Sequence, residues 1–419
     1  MVIMMTVLKA LEKLENLLEE KLFEDANKYK STYFSRSSCK MMFEDIFNFV
    51  LGLPKASCQI EVNKFLKNHK PNIDSMAKQS VFEARLKLKP QAFTQVNNEL
   101  ISSFYLEEHK LFMGYRLVDV DGSSMEVPSE AEECFGGQKT KGATKPLAQV
   151  CSLYDPLNNI ILDATIDPYV ENERKQALRM IDNLHNVSPH NNLFIFDRGF
   201  PSSELITSLY DNSKFLFRVS SQFFKEINLA NEEDQIVKIA SIGNINLRVI
   251  NVLLDNGGSE KLFTNIFDAD FTPQVFKQLY NHRWGIECKY RELKSILEIE
   301  NFSSANKILI EQDFYASVVV ANLVAIAKEE ANQKIADRDN NKSLKYDRKL
   351  NTNMSLSELK LLFIKVLCTD DPVKKDLLWQ EVCRNIIRYS VPIRPNRKST
   401  PRTAKHPSSK FPLNSKSAS

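Results

Sequence analysis

The stretch Tyr280–Lys294, YNHRWGIECKYRELK, decides how this chain is read. Apart from Gly285, nothing in it breaks a helical pattern. At about 100° per residue, Tyr280, Arg283, Glu287 and Lys294 share one face about 60° wide. Leu279, Ile286, Tyr290, Leu293 and Leu297 cluster on the adjacent face, which reads as the core side. A carboxylate between two cations at the edge of a buried helix can hold a metal ion while its neighbours hold phosphates. Taken alone, the same pattern also describes a solvated helix supported by ion pairs between turns. What separates the two readings lies elsewhere in the chain.

The chain has 419 residues, 43% of them hydrophobic and 26% charged, enough for a large core and two or three domains. Its net charge is +3, so any nucleic-acid surface must come from local clustering of Lys and Arg. Seven cysteines form no CxxC pair and six histidines show no paired spacing, so zinc is not expected. The odd cysteine count and the short apolar run in MVIMMTVLKALEKL fit a protein of the reducing cytoplasm without a signal peptide. No stretch of about 18 apolar residues is read that would span a membrane.

Residues 1–108 read as all-helical. Within them SVFEARLKLKPQAF places Arg85, Lys87 and Lys89 near a helix end, a pattern that suits either a DNA groove or a solvated basic face. The texture changes over 109–218. LFMGYRLVDVDGSSMEVP reads as a strand closed by a turn at Asp121-Gly122, and residues 130–145 as a Gly/Lys-rich loop carrying Lys139, Lys141 and Lys145. LAQVCSLYD and NIILDATIDPYV follow as strands, then a helix. LFIF is a short apolar run that fits a strand buried on both faces, and it delivers Asp197 at its end, before Arg198 and Gly199. A carboxylate there is well placed for chemistry in a mixed α/β sheet, or it caps the next turn. Residues 219–268 read as a β-rich insertion with a hairpin turn at Asn256-Gly257-Gly258. Residues 269–330 carry the Tyr280–Lys294 helix, entered through Thr272 and Pro273, and 331–390 are again helical. The tail 391–419 has seven Lys or Arg and no acid, a disordered basic composition.

Three carboxylates stand out: Asp121 and Asp197 on strands, Glu287 on a later helix. Two strand-borne aspartates and a helix-borne glutamate can converge at one sheet edge, and hard oxygen ligands suit Mg²⁺ or Mn²⁺. Here the sequence resembles the DDE transposases of the insertion-sequence-four type. Three blocks carry the resemblance: Asp121-Gly122-Ser123, Asp197-Arg198-Gly199-Phe200, and the Tyr-x2-Arg-x3-Glu-x6-Lys signature met by Tyr280, Arg283, Glu287 and Lys294. It covers residues 105–305. The resemblance implies an α/β, ribonuclease-H-like mixed-sheet core with a β-rich insertion and flanking helical regions. It implies that Asp121, Asp197 and Glu287 bind two Mg²⁺ or Mn²⁺ ions, and that Tyr280, Arg283, Lys294 and Arg198 contact DNA. The implied partners are double-stranded DNA, as transposon inverted repeats and target, and a second copy of the chain in a synaptic homodimer. The expected setting is the cytoplasmic nucleoid, with no membrane.

Two positions compete. Asp119 shares a strand face with Asp121, but the family's aspartate precedes glycine, which favours Asp121. Glu292 lies away from the cationic stripe that holds Glu287. The chain departs from some relatives in having no tryptophan in the insertion, where Phe223, Phe224 or Phe263 could stack on a base instead. The functions compatible with the sequence are a cut-and-paste transposase, a related metal-dependent DNA nuclease without strand transfer, and a domesticated DNA-binding protein without catalysis.

Overall fold

The computed structural model describes residues 4–36, 39–52, 55, 57–140, 142–219, 223–253, 258–340 and 344–394. Six helices come first: α1 (Val7–Glu19), α2 (Lys21–Ala26), α3 (Phe43–Leu51), α4 (Cys58–His69), α5 (Lys78–Arg85) and α6 (Gln91–Tyr105). Their apolar residues recur at helical spacing. In α1 the buried set is Val7, Ala10, Leu11, Leu14 and Leu18, a single stripe facing the core.

The central region alternates strands and helices: β1 (Arg116–Glu126), α7 (Glu132–Phe135), β2 (Gly137–Thr140), β3 (Ala143–Asp155), β4 (Ile160–Pro168), α8 (Glu173–Val187), β5 (Asn192–Phe196), α9 (Ser203–Tyr210) and β6 (Lys214–Arg218). Next come α10 (Lys225–Leu229), β7 (Asp234–Ile239), β8 (Ile245–Leu253) and β9 (Ser259–Thr264). The chain then becomes mostly helical again: α11 (Pro273–Asn281), α12 (Trp284–Ser295), α13 (Lys307–Asp339), β10 (Arg348–Lys349), α14 (Thr352–Leu367), α15 (Pro372–Arg388) and β11 (Val391–Pro392).

In the main sheet β3 runs antiparallel to β4 and β1, while β1, β5 and β6 are mutually parallel. The order β4-β3-β1-β5-β6 is that of a ribonuclease-H-like core. The strands of the 219–268 block extend the same sheet, β9 pairing with β6, then β8, then β7. This block interrupts the sequence without leaving the sheet.

Side-chain alternation divides the sheet into two faces. Val118, Val120, Phe194, Phe196, Phe215 and Phe217 join a large core that also takes in α1, α3, α6 and α13–α15. Leu117, Leu193, Ile195 and Leu216 face the other way, onto Phe276, Leu279 and Tyr280 of α11.

Several expectations change. The strand does not close at Asp121-Gly122: β1 continues to Glu126, paired with β3 throughout. A Cβ on Gly122 would lie 2.5 Å from the Glu173 carboxylate, so a larger residue there needs the Glu173 side chain to move. Residues 130–145 are not a loop. They hold α7 and a hairpin in which Gly137–Thr140 pairs with Ala143–Pro146. Lys141 lies outside the described residues, as do residues 254–257 of the expected hairpin turn.

The helix α13 is long and apolar enough to cross a membrane by length and composition, which the sequence reading did not find. However, 83% of its apolar window is buried inside the protein, so that surface is used by the core. Of the tail, Val391 and Pro392 form β11 on β10. Its expected disorder otherwise falls on 395–419, outside the described residues.

Candidate active site

The register of three parallel strands builds the site. Val120 pairs with Phe196, and Phe196 with Phe217. The next residues, Asp121, Asp197 and Arg218, therefore leave three neighbouring strands at one level. By alternation they continue the face of Leu117, Leu193, Ile195 and Leu216, toward α11 and α12. Asp121 is still within β1, whereas β5 has ended before Asp197.

The helices bring the rest. Thr272 caps α11, its hydroxyl accepting from the Val275 amide, with Pro273 in the first turn. The helix read over Tyr280–Lys294 is interrupted at His282-Arg283. There the amides of His282, Arg283 and Gly285 donate three residues back, to Leu279, Tyr280 and His282, which tightens the turn. Tyr280 thus ends one helix and Glu287 begins the next. Gly285 permits the close approach of α12 to the β3–β4 turn: a Cβ there would lie 3.0 Å from Pro156 Cβ and 3.3 Å from the Tyr154 ring. The Tyr290 hydroxyl donates to the Asp121 carbonyl at 2.9 Å, fastening α12 to β1.

Each carboxylate has its own donor. Tyr280 donates to Asp197 Oδ1 at 3.1 Å, and Arg218 stands 3.7 Å from the same oxygen. Arg283 donates to Glu287 Oε1 at 2.5 Å. Asp121 Oδ1 accepts from the Gly122 amide at 3.0 Å. Burial pushes the Asp121 carboxyl up to about 6. Arg283 and the Gly122 amide oppose that rise, and repulsion from Asp197 and Glu287 adds to it. Asp121 therefore feels the charge of both other carboxylates. Burial also raises the Tyr280 hydroxyl, helped by Asp197.

Lys294 sits farther along α12, donating to the Ser124 carbonyl at 2.6 Å and pairing with Glu300 at 3.3 Å. Arg198 lies exposed on the turn after Asp197. Among the described residues, no ion pair is seen for it.

Asp119 is fully buried on the same strand face, and both its carboxylate oxygens lack hydrogen-bond partners. Burial, then Asp155, raises its pKa well above the usual carboxylate range. Glu292 turns to Lys328 at 3.4 Å, away from the site. Phe263 is buried between Phe217 and Phe223, with centroids at 5.0 and 6.0 Å, so it is not free to stack on a base. Phe223 and Phe224 are half-buried against each other.

The sequence reading missed Arg218 and Tyr290. An arginine closing a buried apolar strand is itself a signal, and Arg218 closes KFLFR as Asp197 follows NLFIF. Tyr290 was read only as core, and nothing in its spacing announces the hydrogen bond to Asp121.

The donor set suits a hard divalent cation: carboxylate oxygens only, where the parallel pairing of two central strands ends. Among the described residues no three His, Cys, Asp or Glu side chains are gathered into a ready cluster. Arg283 and Tyr280 occupy Glu287 and Asp197 instead. The buried Nε of Arg283 and the oxygens of Asp119 are left without partners, which marks the arrangement as incompletely satisfied.

Residues 113–323, half of the chain, match the family model of the transposase DDE domain. The chain belongs to this family. The matched stretch contains Asp121, Asp197, Arg198, Arg218, Tyr280, Arg283, Glu287 and Lys294. DDE transposases use divalent metal ions and bind DNA. The transposase InsG for insertion sequence element IS4 of Escherichia coli K12 is 23% identical over 273 residues, 59% of this chain and 60% of that protein. The chain thus spans less than two-thirds of that relative's length. A piggyBac transposase, solved by cryo-EM as a synaptic complex with hairpin DNA, superposes with a TM-score of 0.48 and 9% identity, over 94% of this chain and 88% of that one.

Proposed function

We propose that this DDE transposase family member is itself a cut-and-paste transposase. It binds the inverted repeats at the ends of its own element, cleaves the DNA there with water, and joins the freed 3′-hydroxyls to target DNA. The observation that carries this reading is the shared level of Asp121 and Asp197, each following the last parallel β1–β5 pair, with the Glu287 helix fastened to the Asp121 carbonyl through Tyr290.

In this reading Asp121, Asp197 and Glu287 hold two Mg²⁺ or Mn²⁺ ions. Such ions activate the attacking oxygen and stabilise the leaving one. The chain's own residues do the rest. Tyr280 orients the Asp197 carboxylate through its hydroxyl. Arg283, once released from Glu287, faces the phosphate that the carboxylates approach, where charge builds on the phosphoryl oxygens. Arg198 meets the DNA backbone from the turn beside Asp197, and Lys294 holds α12 against β1 at the DNA-facing edge. The N-terminal helices contribute end binding. Two copies act together, paired through the helices after residue 305, at the nucleoid in the cytoplasm.

The test is a cleavage and joining assay on DNA carrying the element's ends, with Mg²⁺ or Mn²⁺. Asp197→Ala is expected to keep end binding and abolish cleavage. Pre-cut ends should be joined to target DNA; cleavage without joining would identify a nuclease. Equal cleavage by the variant and the parent would sink the reading.

A further inference from the structure

Away from the carboxylates, a cavity of about 160 Å³ opens between α4 and α14. Its floor is apolar, formed by Phe49, Phe65 and Ile364. Its wall carries four lysines, Lys55, Lys64, Lys360 and Lys365, against one carboxylate, Glu61. Glu61 is already paired with Lys64 at 3.2 Å. The lysines come from different segments, and the fold gathers them around an apolar floor.

That gathering brings like charges together. Burial and then repulsion from Lys55 lower the Lys360 amine to about 8, with Glu61 and Glu298 opposing the fall. Burial lowers Lys55 too, and His69 in the same wall is lowered by burial and by Lys365. An anion seated here would remove the repulsion, and the apolar floor would strengthen its attraction to each ammonium.

The cavity is also joined to the carboxylate site through the chain. Lys55 Nζ donates to the Asn301 carbonyl at 2.8 Å. Asn301 lies in the segment between α12 and α13, in which Glu300 pairs with Lys294 at 3.3 Å. Lys55 is therefore tied to the segment that follows the helix carrying Glu287.

We propose that this cavity is a second phosphate-binding site, which holds the backbone of DNA running on from the carboxylate site past Lys294. The proposal rests on the DNA-cutting reading above. A phosphodiester offers several acceptor oxygens to more than one ammonium, and lysine binds phosphate as a point charge. Free polyphosphate shares this chemistry. DNA is favoured because Lys55 of the wall is tied to the segment that follows α12.

The test uses the full chain and a fluorescein-labelled duplex of mixed sequence, with anisotropy read across a salt series. The K64Q/K360Q double variant is expected to bind about tenfold more weakly at low salt, and its log K against log salt slope should be shallower by about one to two. Lys360→Arg should keep the parental slope. Lys64 is exposed, so Lys64→Gln alone separates lost binding from lost folding and should shift the slope in the same direction. DNA should also shield Lys360 from acylation, read by mass spectrometry.

Unchanged affinity and slope in the double variant would overturn the proposal and leave the transposase reading standing, because the parent still binds DNA. Protection of Lys360 by inorganic tripolyphosphate but not by DNA would overturn the DNA assignment. A parent chain that binds no DNA at all would remove both readings together.

Discussion

Val120 pairs with Phe196 in parallel register, and the next residue after each is an aspartate. This relationship does more for the site than either aspartate alone. The side-chain period of a strand is two, so a slip of one residue would turn Asp121 to the opposite face of the sheet. Phe196 guards the register by stacking on Phe217 at 4.4 Å, and Phe217 stacks on Phe263 at 5.0 Å. The aromatic layer on one face thus fixes the level of the carboxylates on the other.

Divalent cations should stabilise the protein through these carboxylates. A ligand that binds only the folded state at about a hundred times its dissociation constant adds about 2.7 kcal/mol. Saturating Mg²⁺ or Mn²⁺ should therefore raise the melting temperature of the parent by several degrees, and a chelator should reverse the rise. Glu287→Gln should lose most of the increment while folding normally without metal. Calorimetry with and without metal reads both, and an equal increment in parent and variant would place the ions elsewhere.

Gly285→Ala should damage the site although alanine is the better helix former. The gain in helix propensity is about 1 kcal/mol. Against it stands a Cβ 3.0 Å from Pro156 and 3.3 Å from Tyr154, in contact with a rigid ring and an aromatic wall. Overpacking of this kind costs about 1–3 kcal/mol. We expect a net destabilisation of about 1 kcal/mol in urea melts and a disproportionate loss of cleavage as α12 moves away from β1. A variant more stable than the parent would show that the turn yields.

The strands that carry the two aspartates and the helical segment that carries Glu287 are legible because each leaves a local mark, whereas the sheet order came only with the family resemblance. LFIF is buried on both faces, Thr272-Pro273 opens a helix, and the Tyr-Arg-Glu-Lys spacing repeats at the helical period. The break at His282-Arg283 left no such mark. Both residues keep helical backbone angles, with φ of −63° and −53°, and only the hydrogen-bond span changes. Arg85 was misjudged for a different reason. Charge in a sequence does not reveal burial, and the partner that neutralises Arg85 lies 228 residues away.

Asp163 gives a pH dependence of stability. Burial raises its carboxyl to about 6, despite hydrogen bonds from Asn183 and the Ala164 amide. The folded pKa lies above the unfolded value, so its stabilising contribution is complete below about pH 4 and is lost as pH rises through about 6. The full shift corresponds to about 3 kcal/mol, and the partial exposure of the side chain reduces the expected loss to about 2 kcal/mol. Asp163→Asn, with the Asn183 amide free to turn, should escape this loss. Urea melts at pH 4 and pH 7 should show the variant gaining on the parent as pH rises; a constant difference would refute the assignment.

Arg85 and Asp313 should behave as a buried pair that joins the N-terminal helices to α13. Arg85 is fully buried, where the sequence had offered it as a DNA contact. Its guanidinium donates to Asp313 Oδ1 and Ser303 Oγ, each at 2.7 Å, and to Gln312 Oε1 at 3.1 Å. Removing one partner strands a buried charge, so Asp313→Asn should cost about 3–5 kcal/mol. Replacing both by apolar residues of similar volume, as in R85M/D313L, should recover much of that loss, because neither charge then has to be desolvated. Chemical denaturation of the two variants and the parent measures both effects. If Arg85 instead served DNA, R85M/D313L would fold well and lose DNA affinity with a shallower salt slope. With the pair acting only within the fold, the salt slope of the double variant should match that of the parent.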